Sequence, residues 1–307
     1  MKLDKIVGEL PAGRYDAHAH VYPGTPHSEA YWERLRAAGF VGGVVLSENP
    51  DPMDNTRPLD PEKAMDNAIA WAGASRTLYP FYWINPVRDD AADLVDMAID
   101  KGMFGFKVLP GTFMPGDPKA LPVYEKMAKA GKPVLFHSGI LWDGRPSSKF
   151  TRPGNFEELI DIPNLRFCLA HVSWPWCDEC IAVYGKFLNA LTVDTRLRAE
   201  MFIDVTPGTP EIYRREVLTK LFTIGYDVAD HVQFGTDCRL DDYQVGWATG
   251  WQRTDDAIYA ALGFDAAAVD SIYRRSFQTF LFGSKGGDRK LPTPDGSDRK
   301  DYRGAAD

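Results

Sequence analysis

The chain has 307 residues, 44% hydrophobic and 25% charged, a composition that supports one large core or two small ones and excludes disorder or a fibrous repeat. A formal net charge of -8 argues against a nucleic-acid surface, because phosphate binding needs clustered Lys and Arg. The first 13 residues lack a signal-peptide core, no run approaches a membrane span, and four cysteines are too few for a disulfide framework. The expectation is a soluble cytoplasmic protein whose partner is a small molecule, with no nucleic acid and no membrane.

Short apolar or β-branched runs alternate with amphipathic stretches, the rhythm of βα units on a parallel sheet. The first strand is expected over 14–20 and ends in Asp16-Ala17-His18-Ala19-His20. Side chains alternate along a strand, which puts Asp16, His18 and His20 on one face. Two imidazoles there can grip a metal ion, although a lone His-x-His pair also fits two hydrogen-bonded histidines near a turn. Asp16 reads as a residue that orients a ligand or a strand end.

A helix over 28–38 leads to strand two at 41–48, closed by Glu48, a substrate contact or the ion-pair partner of a nearby Arg or Lys. A helix over 61–74 precedes strand three at 78–85, which ends with Trp83 and Asn85. A helix over 91–101 precedes strand four at 103–109, which carries Lys107. After a helix over 120–130, strand five at 133–138 carries His137.

The loop that follows holds Trp142, Arg145 and Arg152. Arginine forms bidentate pairs with carboxylates, so the loop suggests an anionic substrate, the alternative being arginines paired with surface acids. A short helix over 156–160 leads to strand six at 165–171, ending in His171 and followed by Trp174-Pro175-Trp176. Trp174, with Tyr22, Trp83 and Asn85, is a candidate pocket wall, the alternative for the aromatic residues being lid packing.

Cys177-Asp178-Glu179-Cys180 has redox or zinc spacing, but a second such pair and an adjacent basic residue are missing, so it reads as packing, as does Cys238. A helix over 178–191, strand seven at 201–206 with Asp204 as a structural hydrogen-bond acceptor, a helix over 210–225 and strand eight at 231–237 complete the series. His27 and His231 lack a strand-end setting and read as structural. Eight strands with intervening helices predict an α/β, single-domain (β/α)8 TIM barrel over residues 1–283. A polar tail over 284–307 has too few apolar residues to bury much surface.

In such a barrel, reactive groups sit where strands end. His18, His20, Lys107, His137, His171 and Asp237 all follow apolar runs at strand ends, and imidazole with carboxylate is a ligand set for hydrolytic divalent ions. In this combination the chain resembles the amidohydrolase superfamily, and within it the amidohydrolase-related branch that also holds metal-dependent decarboxylases. The resemblance runs from about Tyr15 to Phe282.

That resemblance implies His18, His20, His137 and Asp237 as metal ligands, with His171 a further ligand or an acid. In members with two metals a carboxylated lysine on strand four bridges them, and Lys107 occupies the matching place. A carbamate forms only on a neutral amine, so an unmodified, charged Lys107 contacting substrate is favoured, and with it one ion rather than two. Zinc is the default for this ligand set and manganese the alternative. The resemblance also makes a homodimer reasonable.

The expected function is a metal-dependent hydrolase that cleaves an amide, lactone or related bond of a carboxylated substrate with activated water, Asp237 shuttling the proton and His171 assisting. The alternatives are a non-oxidative decarboxylase or hydratase of an aromatic or unsaturated acid on the same site, and a barrel without chemistry.

Overall fold

The computed structural model describes residues 4–22, 27–50, 59–193 and 199–283, so the polar tail expected over 284–307 lies outside the described residues. Ten short strands form one sheet: β1 (Arg14–Asp16), β2 (Ala19–His20), β3 (Phe40–Leu46), β4 (Leu78–Trp83), β5 (Gly105–Val108), β6 (Val134–Phe136), β7 (Arg166–Leu169), β8 (Glu200–Asp204), β9 (Val232–Gln233) and β10 (Cys238–Arg239). Every pairing is parallel, and the order is β10-β2-β3-β4-β5-β6-β7-β8-β9, with β1 added beside β3. The first predicted strand is split in two, while the eighth is shortened to β9 and β10 lies just beyond its predicted end. Because β9 and β10 belong to one stretch of chain, the pairing of Cys238 with Ala19 and of Arg239 with His20 brings the last strand back to the first. Ala17 N donates to Phe234 O at 3.0 Å along the same seam. The parallel strands and surrounding helices are those of a TIM barrel, in a single domain.

Strands β3 to β8 are buried on both faces, as a parallel sheet covered by helices requires. Val44, Leu46, Tyr79, Phe81, Leu135, Cys168 and Phe202 pack in one cluster with Phe277, Phe280 and Leu281. The alternate residues Val45, Tyr82, Phe106, Val108, Val134 and Phe136 pack in a second cluster against the helices. This alternation points Lys107, between Phe106 and Val108, into the barrel. Glycine is needed at 43, where a Cβ would lie 2.2 Å from Asp16 O as β1 presses on β3.

The helices are α1 (Ala30–Ala37), α2 (Pro61–Ala72), α3 (Ala91–Lys101), α4 (Leu121–Lys129), α5 (Cys177–Val193), α6 (Glu211–Thr223), α7 (Val245–Ala261), α8 (Ala266–Asp270) and α9 (Ser276–Phe282). α2 shows why the segments are helical. Asp60 caps its first amides by accepting from Glu62 N and Lys63 N, Pro61 fits its first turn, and Ala64, Met65, Ala68, Trp71 and Ala72 make one buried stripe. α3 ends at Gly102, whose φ of 89° suits glycine at a helix terminus. The helix expected over 156–160 is instead a 3-10 segment, Pro153–Leu159. α7, α8 and α9, with a π-helical turn at Ser271–Arg275, follow the last of the predicted elements.

A buried ion pair joins α6 to α7: Arg214 Nε donates to Asp255 Oδ1 at 2.8 Å and Nη2 to Asp255 Oδ2 at 2.6 Å, while Nη2 also reaches Val205 O at 2.6 Å. No helix among the described residues is long and apolar enough to cross a membrane.

Candidate metal centre

Strict alternation would place Asp16 beside His18 and His20, but the strand breaks between β1 and β2 and the parity shifts there. Tyr15 and Ala17 pack in the same cluster as the barrel residues Val44 and Phe81. Asp16 instead accepts from Thr236 N at 2.9 Å, Thr236 Oγ1 at 2.7 Å and Tyr243 Oη at 2.8 Å. It therefore ties strand one to the loop that carries Asp237, and Asp237 N donates to His18 O at 2.8 Å. Burial raises the Asp16 carboxyl to about 6, against the pull of its hydrogen bonds.

His18 is fully buried, and its Nδ1 lies 2.7 Å from Asp204 Oδ2. A carboxylate can only accept, so Nδ1 carries the proton and Nε2 presents a lone pair. That Nε2 lies 3.1 Å from His20 Nε2 and 3.6 Å from Asp237 Oδ1, and His20 Nε2 lies 3.1 Å from the same oxygen. The three ligand atoms fall within 4.8 Å of one another, a group that could hold a metal ion. Burial works against charge on Asp237, but the hydrogen bond from His20 and the imidazoles of His18 and His171 outweigh it and hold the carboxyl below its ordinary range. Asp204, read from the sequence as a structural acceptor, is the residue that fixes the His18 tautomer. Its other oxygen, Oδ1, accepts from Thr206 N and Oγ1.

Lys107 lies at the bottom of this group, 1% exposed, with Nζ 3.2 Å from His18 Nε2. Burial pulls its amine down to about 8, opposed by Asp237 and Asp204. His137 stands outside the tight group of three. Its ring is 5.2 Å from that of His171, which is 5.3 Å from His18. Among the described residues, His137 Nε2 and His171 Nδ1 are buried and find no hydrogen-bond partner. Burial first, then neighbouring charged groups, lowers the pKa of His137 and His18 well below the usual imidazole value.

His171 is not the last residue of a strand. β7 ends at Leu169, and a tight turn follows in which His171, Val172 and Ser173 have φ of 61°, 43° and 55°. Asp237 shares this left-handed conformation, with φ of 58°. Each such residue costs on the order of 1–3 kcal/mol, and β-branched Val172 is the least suited of them.

The substrate-side residues are spread more widely. Trp83 packs 5.3 Å from the His20 ring and lines a cavity of about 240 Å³ with Asn85, Phe113, Leu141, Asp143 and Arg145. Arg152 is not in that wall, since it pairs with Glu179 at 2.6 Å. Trp142 is 81% exposed and stacks on Trp174, which lines a separate groove with Trp176 and Tyr213. Tyr22, half exposed, carries the Arg239 guanidinium over its ring at 3.8 Å. Glu48 is buried and accepts from Asn67 Nδ2 at 2.5 Å.

His231 bonds Glu200 at 3.0 Å, and His27 packs against Trp71. Burial pushes Cys177 and Cys238 up to about 11 and Cys180 to about 12, the setting of unreactive core thiols.

A family model described as amidohydrolase matches residues 15–275. A comparison with curated proteins finds no match. Among solved structures, an uncharacterized TIM-barrel protein from Bordetella bronchiseptica is 17% identical, with a TM-score of 0.60 over 87% of this chain and 98% of that one. A 2,6-dihydroxybenzoate decarboxylase from Rhizobium is 14% identical, with a TM-score of 0.59 over 88% and 99%. An amidohydrolase 2 from Bifidobacterium longum subsp. infantis is 16% identical, with a TM-score of 0.52 over 86% and 98%. At these identities the likeness speaks for the fold.

Proposed function

The chain belongs to the amidohydrolase family, and from that premise we propose that it is a metal-dependent hydrolase of a small carboxylated substrate, cleaving an amide, lactone or related C–O or C–N bond. The observation that carries the reading is the convergence of His18 Nε2, His20 Nε2 and Asp237 Oδ1 within 4.8 Å. Two unpartnered buried nitrogens beside them, His137 Nε2 and His171 Nδ1, support it. A buried polar atom without a partner costs about 1–3 kcal/mol, and nitrogens held ready for a ligand account for that cost.

In this reading His18, His20, His137 and Asp237 hold a divalent cation, zinc first and manganese second. When bound, the cation polarises a carbonyl and lowers the pKa of water. The remaining work falls to side chains. Asp204 keeps the His18 lone pair on Nε2. Asp237, held deprotonated, accepts the proton of the attacking water and returns it to the leaving group, while His171 donates to the oxygen on which charge develops. Lys107 Nζ, buried 3.2 Å from His18 Nε2, is read as a contact for the substrate carboxylate rather than as a carbamate. That favours one ion over two. Arg145, Trp83 and Asn85 line the space for the rest of the substrate.

A second reading, non-oxidative decarboxylation of an aromatic acid with His171 protonating carbon, is favoured by the cavity walled by Trp83, Phe113 and Leu141. One experiment tests both. Metal-stripped protein, reconstituted with zinc or manganese, is screened against lactones, amides and aromatic acids, reading acid release and carbon dioxide release separately. Acid release supports hydrolysis and carbon dioxide the second reading. Absence of turnover together with absence of a bound ion overturns both, and saturation at two equivalents overturns the single ion.

A further inference from the structure

The geometry points to a hydroxyl latch, Ser138–Ser173–Thr151, working with Gly208 as the device that positions His171. The inference rests on the reading of His171 as the proton donor and extends it to residues that touch neither ion nor substrate. Three consecutive non-glycine residues in the left-handed region, His171, Val172 and Ser173, do not stay there by their own preference, since the right-handed basin lies close by. Something must over-determine the turn.

What does so is buried and specific. Ser138 Oγ donates to Thr151 O at 3.0 Å, which uses its only proton, so at 2.7 Å it accepts from Ser173 Oγ. Thr151 Oγ1 donates back to Gly139 O at 2.6 Å, and Gly139 N to Thr151 O at 3.0 Å. All three hydroxyl residues are fully buried. The loop after β6 is thereby fastened to itself and to the last residue of the turn.

The backbones also touch. Ile140 N donates to Trp174 O at 2.8 Å, and a Cβ at Gly139 would lie 2.5 Å from the same oxygen. From the opposite side the loop after β8 reaches the ring: a Cβ at Gly208 would stand 2.9 Å from His171 Cβ and 3.1 Å from its Nδ1. The latch holds the backbone of the turn, and the missing Cβ at 208 leaves room for the imidazole in its present rotamer.

The test reads the metal-free protein first, by long-range ¹H–¹⁵N correlation of the histidine rings, with the His171 signals assigned through His171→Asn. Ser173→Ala and Ser138→Ala should move or broaden the His171 signals and leave those of His231 in place. In the zinc-loaded protein turnover should fall by about tenfold, with Ser173→Ala leaving zinc affinity within about twofold, because His171 is read as the proton donor and not as a ligand. Ser173→Gly should stay closer to wild type than Ser173→Ala, because glycine accepts a positive φ without the hydroxyl's help. A merely structural serine would not produce that rescue.

If Ser173→Ala fails to fold, Gly208→Ala, on the outer side of the ring, supplies the same readout. The latch is refuted if Ser138→Ala, Ser173→Ala and Gly208→Ala all keep wild-type His171 signals and turnover. If instead His171→Asn retains wild-type turnover while Ser173→Ala still moves the ring, the role of His171 falls and the latch stands.

Discussion

Asp204→Asn separates the orientation of a ligand from the stability of the barrel. The carboxylate accepts His18 Nδ1–H at 2.7 Å through Oδ2 and Thr206 N at 2.5 Å through Oδ1. Asparagine keeps an acceptor for Thr206 and turns an NH2 toward His18. The imidazole must then accept at Nδ1, which moves its proton to Nε2 and removes the lone pair from the ion site. Loss of such a partner weakens metal binding by roughly 10- to 100-fold, or about 1.4–2.7 kcal/mol.

The metal-free fold should hardly change. The substitution also removes a fully buried charge whose pKa burial has raised, and the new amide finds His18 Nδ1 as its partner. Competition with a chromophoric chelator gives the zinc affinity, and urea unfolding of metal-free protein gives the stability, expected within about 1 kcal/mol of wild type. A zinc dissociation constant within twofold of wild type would refute the reasoning. So would a large loss of metal-free stability with affinity retained.

Arg214→Met alone or Asp255→Leu alone should cost about 3–5 kcal/mol in urea unfolding, because each strands a buried charge, whereas the double variant should recover most of the loss. Chelation should lower the melting temperature by about 4 °C relative to protein with zinc at a hundredfold excess over its dissociation constant, as calorimetry would show. The four thiols should resist iodoacetamide in folded protein at pH 8 and react on unfolding in urea, since all are buried and Cys177 is raised to about 11. The linkage has one sign: the folded state retains the Cys177 proton to higher pH than the unfolded chain. The stability it contributes is present below about 9 and lost as pH rises through about 11, at most about 3 kcal/mol, measurable as a falling urea midpoint that Cys177→Ala flattens.

The barrel was legible because its inner strands are short apolar runs, and a parallel sheet buried on both faces requires such runs. The polar residues that end them, Lys107 and His137, therefore stood out. Alternation misled at Asp16, where a break in strand one changes the parity, and no local residue pattern distinguishes a broken strand from a continuous one. Thr236 and Tyr243, the partners that place Asp16, lie far away in sequence. The strand expected over 165–171 overruns β7 by two residues because Ala170 continues the apolar run, while the left-handed backbone at His171 is imposed by tertiary contacts. Asp204 reads from the sequence only as a structural acceptor, since its role depends on His18 across the barrel. Arg152 and Trp142 are substrate candidates by residue type alone, and the sequence carries no sign that Arg152 pairs with Glu179 or that Trp142 stacks on Trp174 at the surface.

The seam where β10 meets β2 is two residues long on each side. His18 and His20 stand on one side of it and Asp237 on the other. In the proposed reading an ion shared among them would clasp the first strand to the last, so that a chain whose final strand has not docked would have only half a site. Loading would then follow closure, and the fraction of molecules that retain the ion would count completed barrels.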